Sequence, residues 1–324
     1  MEPIPPIIRM LGPAESATLL GTSKSRNAEI SVYQIESQTG AARIAVKNIR
    51  TNDEAVTESL QKEYTALKEV NAVLPGSMRD SVPHPLLLLE NANTICLSLV
   101  AGTPLDRILR RNANVLTGWL NIRALEKTGY CVGEWLRCFH SATQRRDEKH
   151  NPSDYAFEFK RIVLKAKLIN LSSGVLEHVQ KETLRLNESL RDLSVPIAAK
   201  HGDFIPQNIL LDEGNKLGVI DFASYRREAP IFYDLAHFLA YTTILATRSI
   251  YSRRALSAVS RNFLAGYSSE LKRDLLRLYK ILAILRIVSD GNPSGLGKQS
   301  RRRIQNLLVS TATRGGLDFS EGLR

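Results

Sequence analysis

Cysteine is scarce in this chain. There are three, Cys96, Cys131 and Cys138, an odd number with no CxxC pair among them. Cys131 and Cys138 would lie two helical turns apart, about 10 Å by helix rise, which is too far for a disulfide to bridge. The thiols therefore read as buried groups in a reducing compartment. Also missing is any apolar run near the roughly 18 to 20 residues a membrane-spanning helix needs. The opening MEPIPPIIRM lacks a basic segment leading into an apolar one. These absences predict no transmembrane segment and a cytoplasmic protein. Aromatic residues make up only 6% and are not interleaved with basic ones, which disfavours nucleic acid as a partner. A GxGxxG phosphate loop is absent too.

What is present reads as an ordinary folded protein. Hydrophobic residues make up 43% and charged residues 24% of 324 residues, enough for one two-lobed unit or two ordinary domains. The formal charge is +11 and the pI is near 9.6. From Tyr241 to Arg324 there are fifteen Lys and Arg against five Asp and Glu, so the positive charge is local. Leu275, Leu278, Leu282 and Leu285 repeat there at helical spacing, so the region folds and is not a basic tail. Arg301 to Arg303 form a sharper cluster before a Gly-containing terminus expected to be loose. Such a charge speaks to association, with an anionic substrate or through peripheral contact with an acidic surface.

The least generic stretch is Lys200 to Phe222, KHGDFIPQNILLDEGNKLGVIDF. Two β-rich runs, Ile209 to Leu211 and Leu217 to Ile220, flank the turn residues Asp212 to Asn215 and predict a hairpin. Folding it is expected to bring Asp221 back toward Asp203 and Asn208. Two carboxylates and an amide oxygen suit a hard cation such as Mg²⁺ with a nucleotide triphosphate, rather than zinc or haem. Phosphoryl transfer needs few other parts: a carboxylate to position the attacking hydroxyl and a lysine for the phosphates.

HGDFIPQN, followed by VIDF and then YDLA, resembles the catalytic core of the aminoglycoside phosphotransferase and choline kinase family, a branch of the protein kinase-like fold. The ordered polar positions of the family pattern fall at His201, Asp203, Asn208, Asp221 and Asp234. The resemblance implies an α+β, two-lobed protein kinase-like fold. Residues 1–99 would form an N-lobe, a small antiparallel sheet with one helix covering the nucleotide. Residues 100–324 would form a mostly helical C-lobe with the catalytic loop and acceptor site. It further implies that Asp203 is catalytic, that Asn208 and Asp221 hold Mg²⁺, and that His201 braces the loop backbone. Asp234 would cap the helix beginning at Leu235 and fix the metal-bearing loop.

Other segments extend the resemblance. Lys47 ends RIAVK, similar to the third-strand lysine of kinases, and Glu63 in EYTAL resembles its helix partner, with Glu58 and Glu69 as other candidates. LSLVAGTPL is similar to the family's lobe connector, where Ser98 and Val100 would offer backbone groups to adenine; many relatives have an acidic residue at the Ser98 position. GEWLRCFHSA resembles the helix packed under the catalytic loop, and His140 in it reads as a capping or packing residue.

The remaining expectations come from pattern. Strand alternation marks residues 19–47, with a Ser/Asn-rich loop between Gly21 and Glu29 that is either a phosphate cover or a plain hairpin turn. A helix is expected from about Glu54 to Val70, a loop from Pro75 to Pro85, and strands at Pro85 to Leu89 and Thr94 to Leu99. A buried helix spans Leu120 to Thr143 with Leu125, Val132, Trp135, Leu136 and Phe139 on one face. Residues 145–154 read as a polar break with Ser153 or Asp154 as a cap, and Asp154 to Leu193 as a helix pair parted near Gly174.

The resulting expectation is a kinase using ATP, with GTP open, and Mg²⁺, acting on a small-molecule hydroxyl acceptor. The basic C-terminal region favours a sugar-like or anionic acceptor over an aminoglycoside or an amino alcohol such as choline, which is the alternative. A reading of another class is a catalytically silent kinase-fold binding module with a basic C-terminal face. The intact Lys47, Asp203, Asn208 and Asp221 speak against it. A protein kinase ranks lower, because Ala223 stands where the DFG glycine would be and no APE-like stretch follows.

Overall fold

Alternation along the third strand sets up the first half of the protein. Ile44 and Val46 are buried on one face, so Ala45 and Lys47 fall on the other. The computed structural model describes residues 5–12, 14–24, 28–38, 40–50, 54–89, 93–167, 171–268, 270–290 and 298–313. The chain divides into two compact units, Met1–Gly102 with Leu210–Tyr225, and Thr103–Ile209 with Arg226–Arg324.

In the first unit, strands β1 (Ser16–Lys24), β2 (Ala28–Ser37), β3 (Gly40–Ile49), β4 (Pro85–Leu89) and β5 (Thr94–Ser98) form an antiparallel sheet of order β1-β2-β3-β5-β4. Lys47 of β3 lies between Ile30 of β2 and Ile95 of β5. Ile44, Val46 and Cys96 build a small core with Ile8 from an N-terminal helical turn. Helix α1 (Glu54–Val73) presents Leu60, Glu63, Leu67 and Val70 as one buried stripe, at spacings of three and four. Glu63 therefore occupies a core position, where a carboxylate requires a partner. The predicted hairpin forms as Ile209–Leu211 and Leu217–Val219, turned by the Asp212 side chain, which accepts from the Lys216 N–H at 2.7 Å. The Ser81 carbonyl anchors its second strand, 2.7 Å from the Val219 N–H.

Three expectations for this unit change. The Ser/Asn-rich segment is mostly strand, since β1 and β2 pair out to Lys24 and Glu29; residues 25–27 at its tip lie outside the described residues. Within the Pro75 to Pro85 loop, Gly76–Arg79 makes one helical turn. Of the cysteines only Cys96 is buried, while Cys131 and Cys138 are half-buried thiols of the second unit.

The second unit is helical around a small sheet. It holds α2 (Leu105–Asn112), α3 (Ile122–Thr143), α4 (Pro152–Lys167), α5 (Ser173–Ser189), α6 (Phe232–Ala246), α7 (Arg253–Tyr267), α8 (Arg273–Asp290) and α9 (Lys298–Thr313). Strands β6 (Arg146–Lys149), β7 (Ser194–Lys200) and β8 (Arg226–Pro230) form an antiparallel sheet of order β8-β7-β6. The face predicted for α3 is buried throughout. α3 and α7 approach closely because Gly129, Gly133 and Gly266 have no side chain. A Cβ on any of the three would collide with a carbonyl of the facing helix, that of Val259, Phe263 or Tyr130.

Local details differ here as well. The polar break at residues 145–154 contains β6, whose four residues are all exposed and so leave no hydrophobic alternation to read. Asn151, not Ser153 or Asp154, opens α4, its side chain accepting the Ser153 N–H at 3.0 Å. Gly174 lies inside the first turn of α5 and does not part the pair. The charged cluster joins the fold: Arg303 in α9 donates to the Thr247 carbonyl at 2.7 Å.

Candidate active site

In the first unit, β3 and α1 place Lys47 Nζ 2.8 Å from Glu63 Oε2 and 3.5 Å from Asp221 Oδ1. Glu63 is thus the partner among the three glutamates considered; Glu58 instead pairs with Lys62 on the exposed side of the helix. Burial works against the Lys47 ammonium, but the two carboxylates outweigh it and raise the pKa. Burial pushes the Glu63 carboxyl up, opposed by Lys47. Asp221 follows the hairpin in a left-handed conformation, φ 68° and ψ 68°, sparsely populated by a residue with a Cβ. Such a backbone persists where surrounding contacts impose it, and here it turns the chain into the buried Phe222.

The backbone groups expected to meet adenine are only partly available. The Ser98 N–H donates to the His84 carbonyl at 2.9 Å and its hydroxyl accepts the His84 N–H at 2.8 Å. The Leu99 N–H donates to the Arg43 carbonyl at 3.0 Å. Ser98 is therefore committed at the end of β5 by both its N–H and its side chain, and Val100 follows just past the strand, half-buried.

In the second unit the HGD loop is held from beneath. Asp234 is fully buried in the first turn of α6 and accepts the N–H groups of His201 at 2.7 Å and Gly202 at 2.9 Å. It does not cap α6, whose N-cap is Ile231 and shows no side-chain cap bond. Its carboxylate serves the loop instead. His140 joins it, with Nε2 3.5 Å from Asp234 and Nδ1 2.8 Å from the Tyr267 hydroxyl, so this histidine is a buried hydrogen-bonding residue of the core. Burial alone would raise the Asp234 pKa, but His140, His201 and the Gly202 N–H hold it down at about 2. His201 Nδ1 accepts the Asp203 N–H at 3.2 Å, a loop brace as expected.

Phe204 anchors the loop on the other side. It is fully buried, stacked 5.8 Å from Trp135, which stacks 5.4 Å from Phe139 on α3. Asp203 beside it keeps a partly exposed carboxylate. The Asn208 Nδ2 donates to the Asp203 carbonyl at 3.0 Å and to Oδ2 at 2.9 Å. His237 Nδ1 lies 3.9 Å from Oδ1. Burial and then Arg286 lower the His237 pKa to about 4, so its ring is neutral at pH 7.

Next to this loop is a small cleft, of about 20 Å³, that sequence reasoning missed. Lys200, His237, Arg286, Glu158 and Tyr233 line it with Gly202. Glu158 and Tyr233 also border an adjoining cavity of about 730 Å³ between α4, β6 and β8, reached by Arg161 and Arg226. Lys200 is 7% exposed, its ammonium 4.0 Å over the Tyr233 ring. Among the described residues no hydrogen bond or ion pair within 4 Å joins it. Burial lowers its pKa to about 8, against Glu158 and Asp234. Glu158, a carboxylate of the cleft, accepts a short hydrogen bond from the Tyr233 hydroxyl. The only signal in the sequence was a lysine ending the apolar strand SVPIAAK.

The profile of the phosphotransferase enzyme family matches residues 25–279. The chain belongs to this family. Several solved structures share its fold at low identity. A thermostable mutant of the aminoglycoside phosphotransferase APH(4)-Ia, bound to ADP and hygromycin B, is similar with TM-score 0.62 and 13% identity, covering 96% of this chain and 97% of that one. The streptomycin-ATP-APH(2")-IIa ternary complex gives TM-score 0.56 and 13% identity over 96% of this chain and 99% of that one. Choline kinase LicA from Streptococcus pneumoniae gives 0.54 and 15% over 94% and 96%. No curated protein sequence matches the chain. These likenesses make the α+β architecture of this phosphotransferase a protein kinase-like fold.

Proposed function

We propose that this phosphotransferase moves the γ-phosphoryl group of ATP to a hydroxyl group of a small molecule, and that the acceptor is sugar-like or anionic. The observation that carries the reading is the cluster of Lys47, Glu63 and Asp221, a half-buried ammonium kept charged by one carboxylate beside a second that can face a cation. The donor set suits Mg²⁺. Asp221 offers carboxylate oxygens, and Asn208, whose Nδ2 is on Asp203, offers Oδ1. Asp221 and Asn208 would hold the ion, and Mg-ATP would supply the reactive phosphorus with charge on its oxygens neutralised.

The chain's own groups do the rest. Glu63 holds Lys47 extended toward the α and β phosphates. Asn208 engages Oδ2 of Asp203, and we assign Oδ1 to the acceptor: it orients the hydroxyl and takes its proton as the new O–P bond forms and the bond from the γ-phosphorus to the departing ADP oxygen breaks. His237, neutral at pH 7, does not draw that carboxylate into an ion pair. The acceptor preference is supported by Lys200, a buried cation in the cleft beside the loop, which would repel a polycation and attract a carboxylate or phosphate. A phosphate-transfer screen with Mg-ATP, sugars, sugar phosphates, hydroxy acids, amino alcohols and kanamycin tests this. Highest kcat/KM on a sugar or anionic hydroxyl compound is expected, and turnover of kanamycin at least as good as that of any sugar or sugar phosphate would overturn the acceptor assignment.

A further inference from the structure

Outside the site, the second unit carries a projecting apolar turn that the phosphotransferase reading does not use. Leu116 is 80% exposed, Trp119 65%, Leu120 62% and Ile250 61%. Large side chains are not usually left this open side by side. The turn is rigid. Asn114 Oδ1 accepts the N–H groups of Leu116 and Thr117, both at 2.9 Å, and the Trp119 indole N–H donates to the Leu116 carbonyl at 3.1 Å. Ile250 belongs to the same surface, because its carbonyl accepts the Val115 N–H at 3.1 Å and Asn114 bridges Tyr251. Gly118 lets the turn lie flat, since a Cβ there would stand 2.9 Å from the Ser252 Cβ.

Charge surrounds it. Residues 105–127 and 248–254 hold eight Lys and Arg against two Asp and Glu, and one of those acids, Asp106, is buried and paired with Arg110. Arg111, Arg123, Arg248 and Arg254 are all exposed. We propose that this turn docks the protein on an anionic lipid bilayer, with Leu116, Trp119, Leu120 and Ile250 entering the interface and the flanking arginines meeting lipid headgroups. A bilayer offers an apolar layer under a negative surface, the two features this face complements. A nucleic acid offers phosphates but gives three aliphatic side chains nothing to enter, and a second copy would set positive face against positive face. Among the described residues no helix is long and apolar enough to cross a membrane, so the contact is peripheral.

Tryptophan emission reads the contact directly, because the chain has two tryptophans and the other, Trp135, is buried. Full-length protein is mixed with vesicles of phosphatidylcholine alone, or with phosphatidylglycerol added, with and without brominated acyl chains. Phosphatidylglycerol vesicles should bind the protein, blue-shift its emission and quench it through the brominated lipid, and Trp119→Phe should abolish both signals. Leu116→Ser with Leu120→Ser should weaken vesicle binding at least about ten-fold, from the apolar area withdrawn. Binding without Trp119 quenching would overturn the proposal, as would no preference for phosphatidylglycerol. So would protection of Trp119 by an oligonucleotide or by self-association in place of vesicles. The quenching on unaltered protein keeps the test valid if the double variant folds poorly.

Discussion

Replacing Asp234 with alanine would unfasten the loop that carries Asp203. The carboxylate accepts two buried backbone N–H groups, those of His201 and Gly202, and lies beside His140. Alanine leaves both donors buried without an acceptor, at about 1–3 kcal/mol each. With the His140 contact also lost, the total should reach about 3–5 kcal/mol, the range for breaking a buried charged pair. At about 2 °C per kcal/mol for a unit of this size, the unfolding midpoint of the second unit falls by about 6–10 °C. Part of this effect depends on pH. The folded pKa of about 2 lies below the usual aspartate value, so the stabilisation is complete above about pH 4 and is lost as pH falls toward 2. Urea denaturation of wild type and Asp234→Ala at pH 7 and pH 3 reads both. The gap should narrow by about 1 kcal/mol on acidification. A gap under about 1 kcal/mol at pH 7, or one unchanged at pH 3, would refute the reasoning.

Three other outcomes are expected. Gly133→Ala forces a methyl against the Phe263 carbonyl and should destabilise by about 1–3 kcal/mol, measurable by thermal unfolding; a neutral result would mean the α3–α7 contact yields freely. Glu63→Gln removes the charge that holds Lys47 and should weaken nucleotide binding by about ten-fold in a titration, with an unchanged Kd speaking against the pair's role. Because Lys200 titrates near pH 8, KM for an anionic acceptor should rise as pH passes through 8. That rise should be missing in Lys200→Met; a pH profile identical in the two proteins would remove Lys200 from the acceptor site.

Much of the scaffold was legible in the sequence because its signals were local. Period-two alternation located β2 and β3, turn residues located the hairpin ahead of Asp221, and helical spacing fixed the buried face of α3. The HGD, VIDF and YDLA segments picked out polar residues that the fold does use, with Lys47, Glu63 and Asp221 gathered in one unit and the Asp203 loop braced in the other. What escaped depended on contacts distant in sequence. β6 is polar on both faces and exists because it pairs with β7. Asp234 was expected both to fix the loop and to cap α6, and only its bonds to the His201 and Gly202 N–H groups show that it does the first without the second. The Ser98 N–H looked available to adenine until the His84 carbonyl was found engaging it. The cleft around Lys200 was hidden for the same reason, since Glu158, Tyr233 and Arg286 meet it from three separate helices.

The most direct test of the proposed phosphotransferase chemistry is Asp203→Asn, measured for turnover and for nucleotide affinity on the same preparation. Asparagine keeps the shape and the contact with Asn208 but cannot take the acceptor proton. The account predicts a fall in kcat of about 10²–10⁴-fold, with ATP still bound at close to wild-type Kd. Full activity in that variant would contradict it.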